Sequence, residues 1–194
     1  VKPKYEIPDD LGGAARQGDL DAIEEFLKEG AEIDGKFDKE FTPLHWAAAM
    51  GETEAVVLLA DKGANLNSRD GHQSTPMHLA AFFGRTACVR ILIDKGADPE
   101  LRNKDGARPQ EAILANREIT KWVARDILKV PMVWSEVQEG RKEVRKLLGG
   151  GDVQAVRSGE DKQVQPDDWF ARNYMPDGRF MTHHLWFLYD LVYL

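Results

Sequence analysis

The 194-residue chain has one cysteine, Cys88, so no internal disulfide can form and a disulfide-stapled scaffold is excluded. It has no excess of positive charge either: 26 Lys and Arg stand against 33 Asp and Glu. The net charge of −7 disfavours binding to nucleic acid. No cationic start leads into an apolar run and a cleavage site, and a cytoplasmic location for the bulk of the chain is the resulting expectation. Phosphate loops, dinucleotide fingerprints and His-Glu-x-x-His are missing, and Cys88 has no histidine near it in sequence. His183-His184 lacks a further ligand at metal-binding spacing. No catalytic residue, metal ligand or cofactor is therefore expected, and residues 10–129 do not read as an enzyme.

What the chain does have is a period. Gly30-Ala31, Gly63-Ala64 and Gly96-Ala97 stand at a constant interval of 33 residues, as do Gly18, Gly51 and Gly84. Thr42-Pro43-Leu44-His45 and Thr75-Pro76-Met77-His78 repeat at the same interval, with Arg108-Pro109-Gln110-Glu111 as a worn third copy. A threonine can cap a helix whose first residue is proline, where the missing N–H costs nothing. Ala47-Ala48 and Ala80-Ala81 allow two helices of one repeat to approach closely. Val56, Leu58 and Leu59, then Val89, Ile91 and Leu92, give each second helix an apolar face for the neighbouring repeat.

The combination of Thr-Pro-Leu-His, Ala-Ala, Gly and Gly-Ala at this interval resembles the ankyrin repeat over about residues 10–129. The resemblance implies an all-α solenoid of about four helix-turn-helix repeats with short β-turn fingers: a half-degenerate first repeat from Leu11, two good ones, and a divergent fourth from Asn103. It also implies a protein or peptide partner held in the concave groove. The contact positions carried over are the finger residues Asp38, Lys39, Phe41, His72, Ser74, Lys104 and Asp105, with Met50, Phe82 and Phe83 on the inner helices. Two departures stand out. The finger glycine is replaced by Glu40 and Gln73, which predicts distortion of two fingers, and Gln110-Glu111 occupies the place of Leu-His. His72 is expected at an exposed tip, while His45 and His78 are expected to be structural.

Phe82-Phe83 is an informative pair, since two adjacent aromatics cannot both face the core from one helix. Either a partner or an intramolecular segment should cover the second ring, and the tail from Trp169 is the candidate for intramolecular cover. A long helix is predicted over Asn116–Lys129 with Ile119, Trp122, Val123 and Ile127 on one face. Residues 130–148 read as a helical cap or a degenerate fifth repeat, because Gly140, Val144 and Leu147-Leu148 repeat the spacing of Gly84, Val89 and Ile91-Leu92.

Residues 149–168 read as a flexible linker, and residues 169–194 as an apolar, aromatic tail. The run Leu185–Leu194 is about half the roughly 20 residues of a membrane-spanning helix. It fits either a docked amphipathic helix or the start of a membrane segment. The stretch Pro176–Leu194, with His184-Leu185-Trp186-Phe187-Leu188, resembles an internal transmembrane entry of the membrane acyltransferase family of glucan-biosynthesis type. That resemblance implies a soluble regulatory or scaffolding extension of a membrane acyltransferase, attached through residues 185–194. A start without methionine and an abrupt apolar end fit a piece of a longer chain.

Overall fold

Two of the Thr-Pro pairs start helices by the same device. The hydroxyls of Thr42 and Thr75 and their backbone N–H groups turn onto the side chain three residues on, and the proline sits where no N–H is needed. In the computed structural model, which describes residues 9–37, 40–129 and 132–149, this gives α3 (Pro43–Met50) and α5 (Pro76–Phe82). The first repeat starts α1 (Leu11–Gln17) from Asp10, whose carboxylate accepts the Gly13 N–H at 2.6 Å. Each of these inner helices turns back through a glycine into an outer helix: α2 (Leu20–Lys28), α4 (Thr53–Asp61) and α6 (Thr86–Asp94).

The inner helices form one row and the outer helices a second. Ala14, Ala15, Ala47, Ala48, Ala80 and Ala81 lie in the seam and are inaccessible to solvent, which is what lets the rows close. Leu44, Val56, Leu59, Met77, Val89 and Leu92 fill the space between repeats, each worth about 1.5–3 kcal/mol of burial. Cys88 lies in this spine, and burial pushes its thiol up to about 12, so it packs as a small apolar group. No strand occurs among the described residues.

Beyond Met77 the period holds as far as α7 and then breaks. This inner helix is cut to Pro109–Ala112, and Arg117 stands where Gly18, Gly51 and Gly84 made the turn. Without that glycine the chain does not reverse. Asn116 instead caps a new helix by accepting the Ile119 N–H at 2.8 Å. This is α8 (Arg117–Trp122), and it runs into one π-helical turn, Val123–Ile127. The chain later returns as α9 (Trp134–Leu147), which packs on α6.

Thus α9 continues the outer row by packing on α6. Gly140 of α9 lies directly on the backbone of Gly84, so closely that a Cβ on Gly140 would overlap the Gly84 carbonyl. The Thr86 hydroxyl donates to the Gly140 carbonyl at 3.1 Å. Arg141 comes after Gly140 as Arg85 comes after Gly84, and Val144 is fully buried as Val89 is. Residues 130–148 therefore contribute one helix among the described residues rather than a helix pair.

Candidate functional site

Three fingers project from the inner row, and they are alike despite their sequences. Phe37 N–H donates to the Phe41 carbonyl, Asp70 to Ser74 and Asn103 to Ala107, at 2.9, 3.0 and 2.9 Å. Glu40, Gln73 and Gly106 close the turns with φ of 57°, 60° and 76°. Among the described residues the expected distortion does not occur: Glu40 and Gln73 adopt the left-handed conformation that glycine would take, at a local cost, because the surrounding turn bonds require it. In the second and third fingers the tip is further fixed from within. Asp70 accepts the N–H groups of His72 and Ser74 at 2.8 and 2.7 Å, and Asn103 those of Asp105 and Ala107 at 3.1 and 3.0 Å.

Successive fingers are joined through histidine. The Thr42 N–H donates to Nδ1 of His45 at 3.2 Å, which leaves the ring proton on Nε2, and Nε2 donates to the Ser74 carbonyl of the next finger at 3.0 Å. His78 does the same between Thr75 (3.1 Å) and the Ala107 carbonyl (2.9 Å). Burial lowers both imidazoles to about 4, so they are neutral at ordinary pH. In the fourth repeat Glu111 substitutes for histidine, accepting the Arg108 N–H at 2.7 Å.

The inner helices carry a further set of side chains that do not enter the spine between the rows. Arg16, Ala49, Phe82 and Ala115 are equivalent positions one period apart, each near the end of its inner helix. Trp46 and Leu79, one turn earlier, are equivalent to each other. All five nonpolar side chains except Ala115 are buried, together with Phe83, although none belongs to the spine between the rows. Residues 117–129, hereafter the strap, are tied to this row at both ends. At its near end Thr120 accepts from Arg141, which also donates to the Phe82 carbonyl (2.6 and 2.8 Å) and the Ala115 carbonyl (2.6 Å). At its far end the carbonyls of Leu128 and Lys129 accept from Arg16 at 2.9 and 3.0 Å.

The strap is thus linked through Arg141 to α5 at one end and bonded by Arg16 of α1 at the other, and α3 packs between those two helices. Thr120, Val123, Ala124 and Leu128 form its buried stripe. The π turn matters here. Leu128 N–H donates to Val123 five residues back at 2.9 Å, which keeps both side chains on the same side. Arg141, whose pKa burial lowers to about 10, remains charged at neutral pH, and its guanidinium lies 5.1 Å from the Phe82 ring and 5.5 Å from Trp134.

Residues 11–103 match the family model for ankyrin repeats, in three copies. Helical hairpins stacked in two rows, with fingers bridged by Thr-Pro-x-His, agree with that match. This part of the chain is an ankyrin solenoid. No curated protein matches the chain. Ankyrin repeats form protein-interaction surfaces, and that is the functional class the match supports.

Within the ankyrin frame the expected contact residues separate into three groups. Lys104 is exposed at the third finger tip, and Met50 is half-buried at the end of α3. Phe41, Ser74, Phe82 and Phe83 are buried: Phe41 packs on His45 and Trp46 with ring centroids 5.5 and 5.0 Å apart, and the two phenylalanines meet edge to face at 4.9 Å. Asp38 and Lys39 lie outside the described residues. His72 corrects the expectation of an exposed tip. It is 3% exposed, because its Nε2 meets the carboxylate of Asp105 one repeat on, while the Lys104 N–H closes on its carbonyl at 3.0 Å.

Two further expectations are amended. The helix after Asn116 ends in a π turn, so its buried face runs through Thr120, Val123, Ala124 and Leu128 rather than through Ile119 and Trp122, which are only half-buried. Phe82 and Phe83 lie under cover in which the strap and Arg141 take part. The covering tail expected from Trp169 lies outside the described residues, as do the linker 149–168, apart from Gly149, and the acyltransferase-like stretch 176–194. No helix among the described residues is long and apolar enough to cross a membrane. Arg16, Trp46, Leu79 and Arg141 join the groove without having been expected there. The period itself carries the signal for the first three, since Arg16 shares the register of Ala49 and Phe82, and Trp46 and Leu79 share one a turn earlier.

Proposed function

We propose that this chain is a protein-interaction module that receives a protein or peptide partner on its concave face. The observation that carries this reading is the chemistry of the inner row. Trp46, Leu79, Phe82 and Phe83 give it large apolar side chains that the stacking of the rows does not use. Side chains of this kind are the usual anchors of an interface, and a partner reaches them by replacing what covers them. The exposed Lys104 and the half-buried Met50 lie at the margin of this face and supply contacts that need no rearrangement. The reading assigns the module no reaction of its own.

Site-specific photocrosslinking in the native cell tests it. A crosslinking side chain placed at Met50 or Lys104 is expected to capture the same protein, whereas one placed at Lys62, on the outer row, captures none of it. Equal capture from all three positions, or from Lys62 alone, overturns the assignment to the concave face.

A further inference from the structure

The strap is an addition to the repeat rather than part of it. Residues 117–133 lie in sequence between the inner helix α7 and α9, the helix that continues the outer row on α6. The inserted chain folds as a helix, satisfies its own backbone, and presents Thr120, Val123, Ala124 and Leu128 at helical spacing to the groove. Its two ends are held unequally. Arg141, buried and bonded to three separate elements, fastens Thr120, whereas among the described residues one side chain, the Arg16 guanidinium, donates to the far end. The far half also departs from α geometry, with the π turn at Val123–Ile127 and Lys129 at φ 51°. Leu114 and Val133, just before and just after the strap, are 65% and 54% exposed, the large hydrophobics left open among the described residues.

We infer that the strap is a resident occupant of the partner site, and that the groove is built for an amphipathic α-helix of another protein, which replaces the far half of the strap. This rests on the concave-face reading and adds the kind of partner. The groove offers ring faces and aliphatic surface across α1, α3 and α5, with no open strand edge to pair with an extended peptide among the described residues. It offers a cation, Arg16, at the place where the strap presents helix C-terminal carbonyls. The partner helix therefore lies with its C-terminal end at α1 and a stripe of small and branched residues against Trp46 and Ala49. A regular helix gains over the strap by forming the α-helical bonds that the π turn forgoes.

The test uses the full chain with residues 117–129 exchanged for a Gly/Ser linker of equal length, and a labelled peptide of residues 116–129 as the probe. Fluorescence anisotropy is expected to show saturable binding to the open variant and at least about tenfold weaker binding to the intact chain. Val123→Asp in the peptide is expected to abolish it. A folded open variant that does not bind the peptide, or intact chain that binds it equally, overturns the proposal. So does a doubling of the intact chain's mass in light scattering, which would make a second copy the occupant.

Should the open variant fail to fold, amide exchange in the intact chain decides. Arg16→Ala is expected to speed exchange at residues 124–129 by about tenfold or more while leaving 77–92 unchanged. Exchange of 124–129 only through global unfolding, in both proteins, makes the strap a fixed part of the core and removes the inference. Crosslinks from Met50 and Lys104 would then still stand, with the finger tips as the contact.

Discussion

Repeats two and three and the stretch after Ala112 bury the same kind of surface with different materials. In the middle of the stack, Arg85 of one repeat reaches back to the Ala49 carbonyl of the repeat before it at 3.2 Å, and a histidine bridges each finger to the next. At the C-terminal end the equivalent tasks fall to Arg141, which arrives on α9 after a detour, and to Glu111, which caps α7 without a bridge. The difference shows what the 33-residue period specifies. It fixes the inner helix and its cap, while the element that covers the inner helix is chosen by whatever side chain reaches its terminal carbonyls.

Acid separates the two regions most strongly. His45 and His78 have pKa values near 4 in the folded chain against 6.5 when unfolded, so the unfolded state takes up more protons between those values. Stability is therefore complete above pH 6.5 and falls as pH drops toward 4, by on the order of 3 kcal/mol per histidine. Glu111 behaves in the same sense but in a lower window. Burial pushes its carboxyl up, but its bonds to Arg108 and the charge of that residue and of Arg102 outweigh burial and hold it below the ordinary carboxylate value. Its contribution is retained above that value and lost only as pH falls beneath it. Chemical-denaturant midpoints from pH 7.5 to 4, with His45→Gln and His78→Gln as controls, should show a decline that shrinks with each substitution. A flat profile would place the imidazoles outside the bridges that hold the fingers.

Next in size is the glycine contact. Gly51 and Gly84 are equivalent, with φ of 85° and 65°, but Gly51 faces the flexible side chain of Arg85 and Gly84 faces the backbone of α9. Gly140→Val forces α9 off α6 and is expected to cost about 3 kcal/mol or more. Gly51→Ala, where only an arginine must shift and the left-handed backbone is strained, is expected to cost about 1–2 kcal/mol. Thermal unfolding of both variants orders them, and an equal loss would mean that α9 does not bear on Gly84.

Arg141→Met ranks third, since it leaves the Phe82 and Ala115 carbonyls without their donor in a buried place. The expected loss is about 2–3 kcal/mol, with faster amide exchange in both the strap and α9. Arg85→Met, which removes one bond to Ala49 at a half-buried site, should cost less than half of that. Arg141→Lys does not restore stability, because a single ammonium cannot reach Phe82, Ala115 and Thr120 together.

Much of the fold is legible in the residues themselves. Thr-Pro, Ala-Ala and the spaced glycines each state a local requirement, and they state it at the same interval, so local and global choices agree. The fingers mislead because a missing glycine at Glu40 and Gln73 suggests a missing conformation, whereas the turn bonds on either side hold the conformation regardless. His72 misleads because its partner, Asp105, is 33 residues away, a distance no local pattern reveals. The need to cover Phe82-Phe83 is visible in the pair, but Arg141 is 59 residues further on, and helical periodicity cannot foresee a π turn that moves Leu128 onto the face of Val123.

The smallest effect concerns the fingers. Gln73→Gly and Glu40→Gly remove a side chain from backbone at φ of 60° and 57°, where a Cβ costs about 1–2 kcal/mol. Glycine also gives the unfolded chain more freedom, which returns roughly 0.4–1 kcal/mol of that. The net is a gain of about 0.5 kcal/mol for each, or about 1–2 °C in Tm by the usual scaling for a domain of this size. For Glu40 the lost ion pair with Lys36 subtracts little, because both side chains are more than half exposed. Gly106→Ala, at the equivalent position with φ of 76° and open space around it, should lose what the other two gain. A loss in Tm for Gln73→Gly would mean that the Gln73 side chain, and not the turn alone, holds the second finger in place.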